Sequence, residues 1–276
     1  MLLSILQYQF IQNAMIASIF ASIVCGIIGV IIVEKKLVMM SGGIAHTSYG
    51  GVGLGYYLGF EPIIGAFFIS ILAAMGICFI KRKGGTRSDV VIGLFWSLGM
   101  ALGILFIALM PGYPPDLSSY LFGSILSVTR ADLYLMAVVT LIVVLVISTL
   151  FHYWKAYMFD EEFAYLLGIK TAWLEYLLFI LIAMSVVVLI RVVGIILVLA
   201  LFTAPPAIAE RLTKSLKLRM IFSVIIGSVF CLAGLFASYV INIASGAVIV
   251  ILAASVYMMV YIVTSIKKSM RIKKSC

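Results

Sequence analysis

Apolar residues gather in nine stretches, 11–33, 43–59, 62–80, 89–109, 131–151, 173–190, 194–210, 219–240 and 245–266, and polar residues collect in the gaps between them. Most of these stretches approach the ~20 apolar residues that a helix needs to cross the hydrocarbon core. The pattern predicts an all-α, polytopic membrane protein with eight to nine transmembrane helices. Both counts stand, because the second stretch is short and glycine-rich and the seventh contains Pro205 and Pro206. No gap is long enough for a soluble domain, so residues 1–276 read as one transmembrane domain.

Three stretches break the rhythm. Residues 110–118, Met-Pro-Gly-Tyr-Pro-Pro-Asp-Leu-Ser, form a turn-rich loop. Leu117 to Val128 is apolar but too short to cross, and predicts a re-entrant or interfacial helix. The third, about 159–169, carries helix punctuation. Asp160 suits an N-cap, Glu161 and Glu162 suit the positive end of the helix dipole, and Gly168 suits the left-handed position past the end. Between them lies a two-turn helix bearing Phe163, Leu166 and Leu167. It reads either as an interfacial helix or as a plug for a cytosolic partner.

Charge changes the picture by its placement. The 19 basic and 10 acidic residues give a net +9, against 65% hydrophobic residues and a mean hydropathy of +1.28. That is too little charge to coat a soluble surface. Of the basic residues, 17 fall in every second gap or in the tail: Lys35–Lys36, Lys81–Arg87, Lys155 with Lys170, Arg211–Arg219 and Lys267–Lys274. This alternation is the positive-inside pattern and not a nucleic-acid surface. It predicts an outside N-terminus and a cytoplasmic C-terminus. The first apolar run lacks a basic front end and precedes a lysine pair, so it reads as a retained helix and not a signal peptide. Cysteines 25, 78 and 231 are isolated in apolar runs, with Cys276 at the end, and suggest neither disulfides nor a zinc knuckle.

No phosphate-cradling motif occurs; Lys83-Gly-Gly-Thr86 lacks the required spacing. No chain of intramembrane acids resembles a proton relay. The chain is therefore expected to be no enzyme, to hold no permanent cofactor, and to move a solute with energy supplied by a partner.

Within the spans a few residues carry chemistry. Gly51, Gly55 and Gly59 recur at four-residue steps, the spacing that lets membrane helices pack closely. The same segment carries polar Thr47 and Ser48, as a pathway lining would. His46 lies well inside a span, where ionisable groups are costly. It is a candidate ligand for zinc, manganese or iron, or a histidine hydrogen-bonded between helices. Pro205 and Pro206 remove the donors to the carbonyls of Leu201 and Phe202, as a gating hinge or as a static kink. Glu210 is a candidate metal acceptor or a partner of Lys214, and Arg191 answers Glu61 or Asp116, or snorkels.

Five stretches taken together resemble a known family. They are Met40-Ser-Gly-Gly-Ile-Ala-His-Thr-Ser-Tyr-Gly-Gly-Val-Gly-Leu-Gly55, Tyr120-Leu-Phe-Gly-Ser-Ile-Leu126, and Asp160-Glu-Glu-Phe-Ala-Tyr-Leu-Leu-Gly168. The others are Val193-Gly-Ile-Ile-Leu-Val-Leu-Ala-Leu-Phe-Thr-Ala-Pro-Pro-Ala207 and Gly234-Leu-Phe-Ala-Ser-Tyr-Val-Ile-Asn-Ile-Ala-Ser-Gly246. In that order they resemble the membrane subunits of ABC-type zinc, manganese and iron uptake systems. The resemblance implies a type II ABC-importer-like permease fold and a homodimer. It also implies cytosolic ATPase subunits that take up the segment Asp160–Gly168, and an extracytoplasmic solute-binding protein. The cargo would be a divalent metal, zinc or manganese before iron. The family usually places an aspartate one turn before the histidine; here that position is Gly42. The departure leaves open a metal chelate or organic cofactor as cargo. A self-sufficient secondary carrier is the alternative from another class.

Overall fold

The structure is a computed structural model that describes residues 8–83, 88–111, 123, 125–241 and 243–275, without the side chains of Ser88 and of residues 267–275. Every regular element among the described residues is helical. In chain order they are α1 (Gln9–Glu34), α2 (Val38–Leu58), α3 (Pro62–Lys83), α4 (Ser88–Leu109), a 3-10 turn (Ile125–Ser127), α5 (Arg130–Thr149) and α6 (Phe151–Phe159). After these come α7 (Glu161–Leu166), α8 (Thr171–Val193), α9 (Ile195–Leu212), α10 (Leu216–Ile241) and α11 (Ser245–Ser275). Most of the expected loop 110–118 and most of the expected short helix 117–128 lie outside the described residues. Only the 3-10 turn of the latter is seen, with Ile125 buried.

Eight of these helices are long and apolar enough to cross a membrane; α2 is not among them. The ion pairs nevertheless show that α2 runs the length of the bundle. Glu34 at the end of α1 pairs with Arg219 at the start of α10, so α2 begins at that end. Glu61, just past α2, pairs with Arg191 at the far end of α8. The end holding Lys35, Lys81, Arg82, Arg211 and Arg219 is called the basic end below. A helix as polar as α2 is sustained there because it is walled by its neighbours, with almost every residue from Met40 to Val52 buried.

Glycine makes that enclosure tight on two sides. Against α3, a Cβ on Gly51 would lie 2.2 Å from the Gly65 carbonyl oxygen, and one on Gly55 2.6 Å from the Pro62 Cα. Against α4, a Cβ on Gly50 would lie 2.9 Å from the Gly99 oxygen, and one on Gly53 2.6 Å from the Gly103 oxygen. Backbones this close leave no room for a side chain, and close packing is what holds membrane helices together. Gly59, expected to extend the packing series, does something else. It stands at φ 74° past the end of α2 with nothing within 4 Å of a Cβ there, so it closes the helix.

The remaining ends have local causes. Thr129 caps α5 by accepting from the Asp132 amide while Asp132 accepts from the Thr129 amide at 3.0 Å, a reciprocal box. Between α8 and α9 the connection is a single residue, Gly194, at φ 80° and ψ 160°, a conformation only glycine adopts readily. The buried apolar core is contiguous from Ile11 in α1 to Ala253 in α11.

Candidate functional site

His46 stands eight residues into α2, about 12 Å along it from the basic end at ~1.5 Å per residue. Its ring is half-buried and lies flat on Trp96 of α4, with centroids 4.0 Å apart and planes 11° from parallel. Its Nδ1 is buried and has no hydrogen-bond partner, so the reading of an interhelical hydrogen bond through that atom is not what the structure holds. The stacking holds the imidazole in one orientation, with an unpartnered Nδ1 that is covered in this arrangement of the helices.

Trp96 also borders the position of the missing carboxylate without closing it to a side chain. A Cβ on Gly42 would meet the indole Cζ3 at 3.5 Å and Leu199 of α9 at 3.7 Å, both ordinary contacts. The indole therefore covers the helical turn that holds both positions. Among the described residues no group of three or more His, Cys, Asp or Glu side chains is positioned to hold a metal ion. Among the described residues, His46 is therefore not part of a closed cage of three or more such ligands.

The hydroxyls expected beside a pathway point elsewhere. Thr47 donates to the Gly43 carbonyl at 2.7 Å and to the Phe95 carbonyl of α4 at 3.0 Å. Ser48 donates to the Ala45 carbonyl at 2.6 Å. Both are buried in the contact between helices, because a membrane interior offers a hydroxyl no water.

Pro205 and Pro206 are buried inside α9, which continues through them unbroken. The Phe202 carbonyl that Pro206 leaves without an amide faces α1, where a Cβ on Gly29 would lie 2.7 Å from that oxygen and 2.8 Å from the Pro206 Cγ. Glycine at 29 thus admits both the carbonyl and the ring. Glu210 is exposed near the end of the same helix, and among the described residues no ion pair joins it to Lys214.

At the basic end, α7 is built as its punctuation suggests. Asp160 accepts from the Phe163 amide at 3.0 Å, and Gly168 takes φ 83°. Ala164 is the residue of α7 turned inward, whereas Phe163 is 57% and Leu166 80% exposed. Glu161 is half-buried and Glu162 exposed. Beside α7 opens a cleft of about 770 Å³, lined in part by Phe159, Phe163, Leu167, Lys155 and Lys214.

A charged network ties α7 to the spans. Glu161 meets Lys35 of α1 at 3.1 Å and Arg82 of α3 at 3.8 Å. Arg82 and Lys81 reach Glu175 of α8 at 2.6 and 2.5 Å, and the Glu175 side chain is only 2% exposed. Leaving the buried Glu175 carboxylate without its cations would cost roughly 3–5 kcal/mol, which holds α3 to α8, whereas the more exposed Glu161 pairs contribute little. The Lys35 ammonium lies 3.7 Å from the ring centre of fully buried Tyr157 in α6. Burial, with Glu175 adding, pushes the Tyr157 phenol well above its ordinary pKa, so it stays neutral.

Sequence reasoning missed Glu175, Trp96 and Asp132. At the end opposite the basic one, Arg191 meets Glu61 at 2.9 Å, as anticipated, and also Asp132 at 2.8 Å. Asp116, the other candidate, lies outside the described residues. A carboxylate inside an otherwise apolar run, as Glu175 is, was the available signal for a buried ion pair.

The profile described as the ABC 3 transport family matches residues 7–264. The chain belongs to the ABC 3 transport family. It is 33% identical to a manganese transport system membrane protein, MntC, of Listeria monocytogenes, over 94% of this chain and 92% of that one. It is 42% identical to an uncharacterized membrane protein of Synechocystis, over 92% of this chain and 90% of the relative. Among solved structures, PsaBC from Streptococcus pneumoniae in complex with Fab matches with a TM-score of 0.83 and 34% identity, covering 92% of each chain. The all-α ABC-permease fold expected from the motifs is the fold observed.

Proposed function

We propose that the chain is the membrane permease subunit of an ABC importer for a divalent transition metal, with manganese placed before zinc. The observation that carries this is His46, a half-buried imidazole inside a helical bundle with an unpartnered nitrogen and, among the described residues, no cluster of three or more metal-ligating side chains around it. A pathway needs ligands that bind and release, and a second copy related by a dimer axis would supply the matching imidazole. The likeness to the Listeria manganese transport system membrane protein supports manganese. Ordering manganese first revises the expectation from sequence, which gave zinc and manganese equal place.

In this reading α7 docks on a cytosolic ATPase subunit through Phe163 and Leu166. Glu161, Arg82 and Glu175 transmit its displacement to α1, α3 and α8. Pro205 and Pro206 give α9 a point of bending beside the pathway, and an extracytoplasmic binding protein delivers cargo at the opposite end. The reading is tested by reconstituting the chain with its ATPase and binding protein in vesicles and measuring manganese accumulation. ATP-dependent uptake is expected. Uptake that needs no ATP would indicate a secondary carrier. Gly42 is the one feature that favours a second cargo, a metal chelate, and uptake only of chelated metal would establish it.

The basic end faces the cytoplasm, with the N-terminus outside, because lysine and arginine are retained on that side. A reporter fused after Cys276 is therefore expected to be active in its cytoplasmic form and silent in its periplasmic form. The reverse result overturns the orientation.

A further inference from the structure

A second cavity, about 770 Å³, opens between α5 and α10 over Ile27 of α1. It is unlike the cleft beside α7. Its walls are apolar, with Val144 and Ile147 on one side and Ile221 and Ile225 on the other, and its polar groups are confined to the basic end, where Ser148, His152 and Lys217 line the mouth.

Lys217 and Ile225 are eight residues apart on α10, which is ~12 Å along a helix. Half of a ~30 Å hydrocarbon core is ~15 Å, so the apolar part has nearly the length of one leaflet. The charge at the mouth is uncompensated. Among the described residues Lys155, Lys214 and Lys217 have no ion-pair partner within 4 Å, and the nearby carboxylate, Glu34, is engaged by Arg219. His152 and Lys217 line both this cavity and the cleft that holds Lys155 and Lys214, so the apolar crevice ends on a basic cluster.

We infer that the crevice between α5 and α10 is a binding site for an anionic phospholipid. One acyl chain lies along Val144, Ile147, Ile221 and Ile225, and the phosphate is held by Lys217 and His152. Two requirements meet here that a passing lipid does not satisfy: a groove of acyl-chain length and unpaired cations at headgroup depth. Basic pockets between membrane helices on the positively charged side select anionic headgroups over zwitterionic ones. A second protein copy would satisfy the apolar walls but would have to bring its own acids to Lys217.

The test is native mass spectrometry of the purified full-length chain, titrated separately with phosphatidylglycerol and phosphatidylcholine. One tightly retained phosphatidylglycerol is expected, with phosphatidylcholine weaker. K217Q with H152Q should weaken retention of phosphatidylglycerol roughly fivefold to tenfold while leaving phosphatidylcholine unchanged. Ile221→Trp fills the crevice from a position already 44% exposed and leaves the cations in place. It should remove the retained lipid, whereas lipid held only by surface charge would persist. Equal retention of the two lipids, no response to K217Q/H152Q, or persistence in Ile221→Trp each overturns the assignment. So does a cross-link from position 221 to a second copy of the chain.

Discussion

His46→Ala is expected to reduce metal accumulation on the order of 10- to 100-fold per folded transporter, while the amount of folded protein stays close to wild type. The magnitude follows from losing one contact to a charged species, ~1.5–3 kcal/mol, where ~1.4 kcal/mol is tenfold. Folding should survive because the ring is only half-buried and Nδ1 makes no hydrogen bond that truncation would break. Stacking on Trp96 is the part of the contact that folding would miss. If His46 served packing, His46→Ala would lower the yield and leave transport per folded molecule intact. Metal accumulation measured against folded protein separates these, and normal transport per molecule removes His46 from the site. Gly42→Asp is the companion variant. Its Cβ fits at 3.5 Å from the indole, and a carboxylate one turn from His46 should tighten metal binding and slow release.

Phe163→Asp combined with Leu166→Asp is expected to reduce cargo-stimulated ATP turnover to the level of the ATPase subunit alone. The two side chains are largely exposed, so placing carboxylates there costs the permease little. Against an apolar docking surface they would leave desolvated charges, which is prohibitive. The inward residue Ala164 and the Asp160 cap remain untouched, so α7 keeps its shape. Turnover measured in the reconstituted complex decides the matter, and wild-type stimulation in this double variant would place ATPase docking elsewhere.

Much of this arrangement was legible in the sequence because its causes are local. Apolar runs mark the spans, and Asp160 and Gly168 mark α7 without reference to any other helix. His46 was legible because an ionisable group in hydrocarbon needs a reason. What escaped depends on which helix lies beside which. Glu175 finds Lys81 and Arg82 more than 90 positions away, and no periodicity in α8 announces them. Trp96 reaches His46 where glycines let α4 approach α2 closely, Gly43 against Ile92 and Gly99 against Thr47 among them. The four-residue step from Gly99 to Gly103 was visible on α4, but spacing alone does not say which helix answers it. Gly59 continued a series on paper and broke it in space, since a helix that ends at Leu58 has no face left for it.

The one-residue connection at Gly194 sets a rule for how this chain tolerates change in length. An ordinary loop absorbs an extra residue by bulging into solvent. Here Gly194 has no such slack, and Gly123 crowds it further, since a Cβ on Gly123 would lie 2.3 Å from the Gly194 amide nitrogen. An inserted residue has to be taken up by α9 itself. At 3.6 residues per turn that rotates every side chain of α9 by about 100°, turning Leu199 away from Gly42 and the Phe202 carbonyl away from Gly29. The junction is therefore a place where substitutions are graded but insertions and deletions are all-or-none. Affinity tags, reporters and spectroscopic labels inserted into this chain belong at its ends and not here.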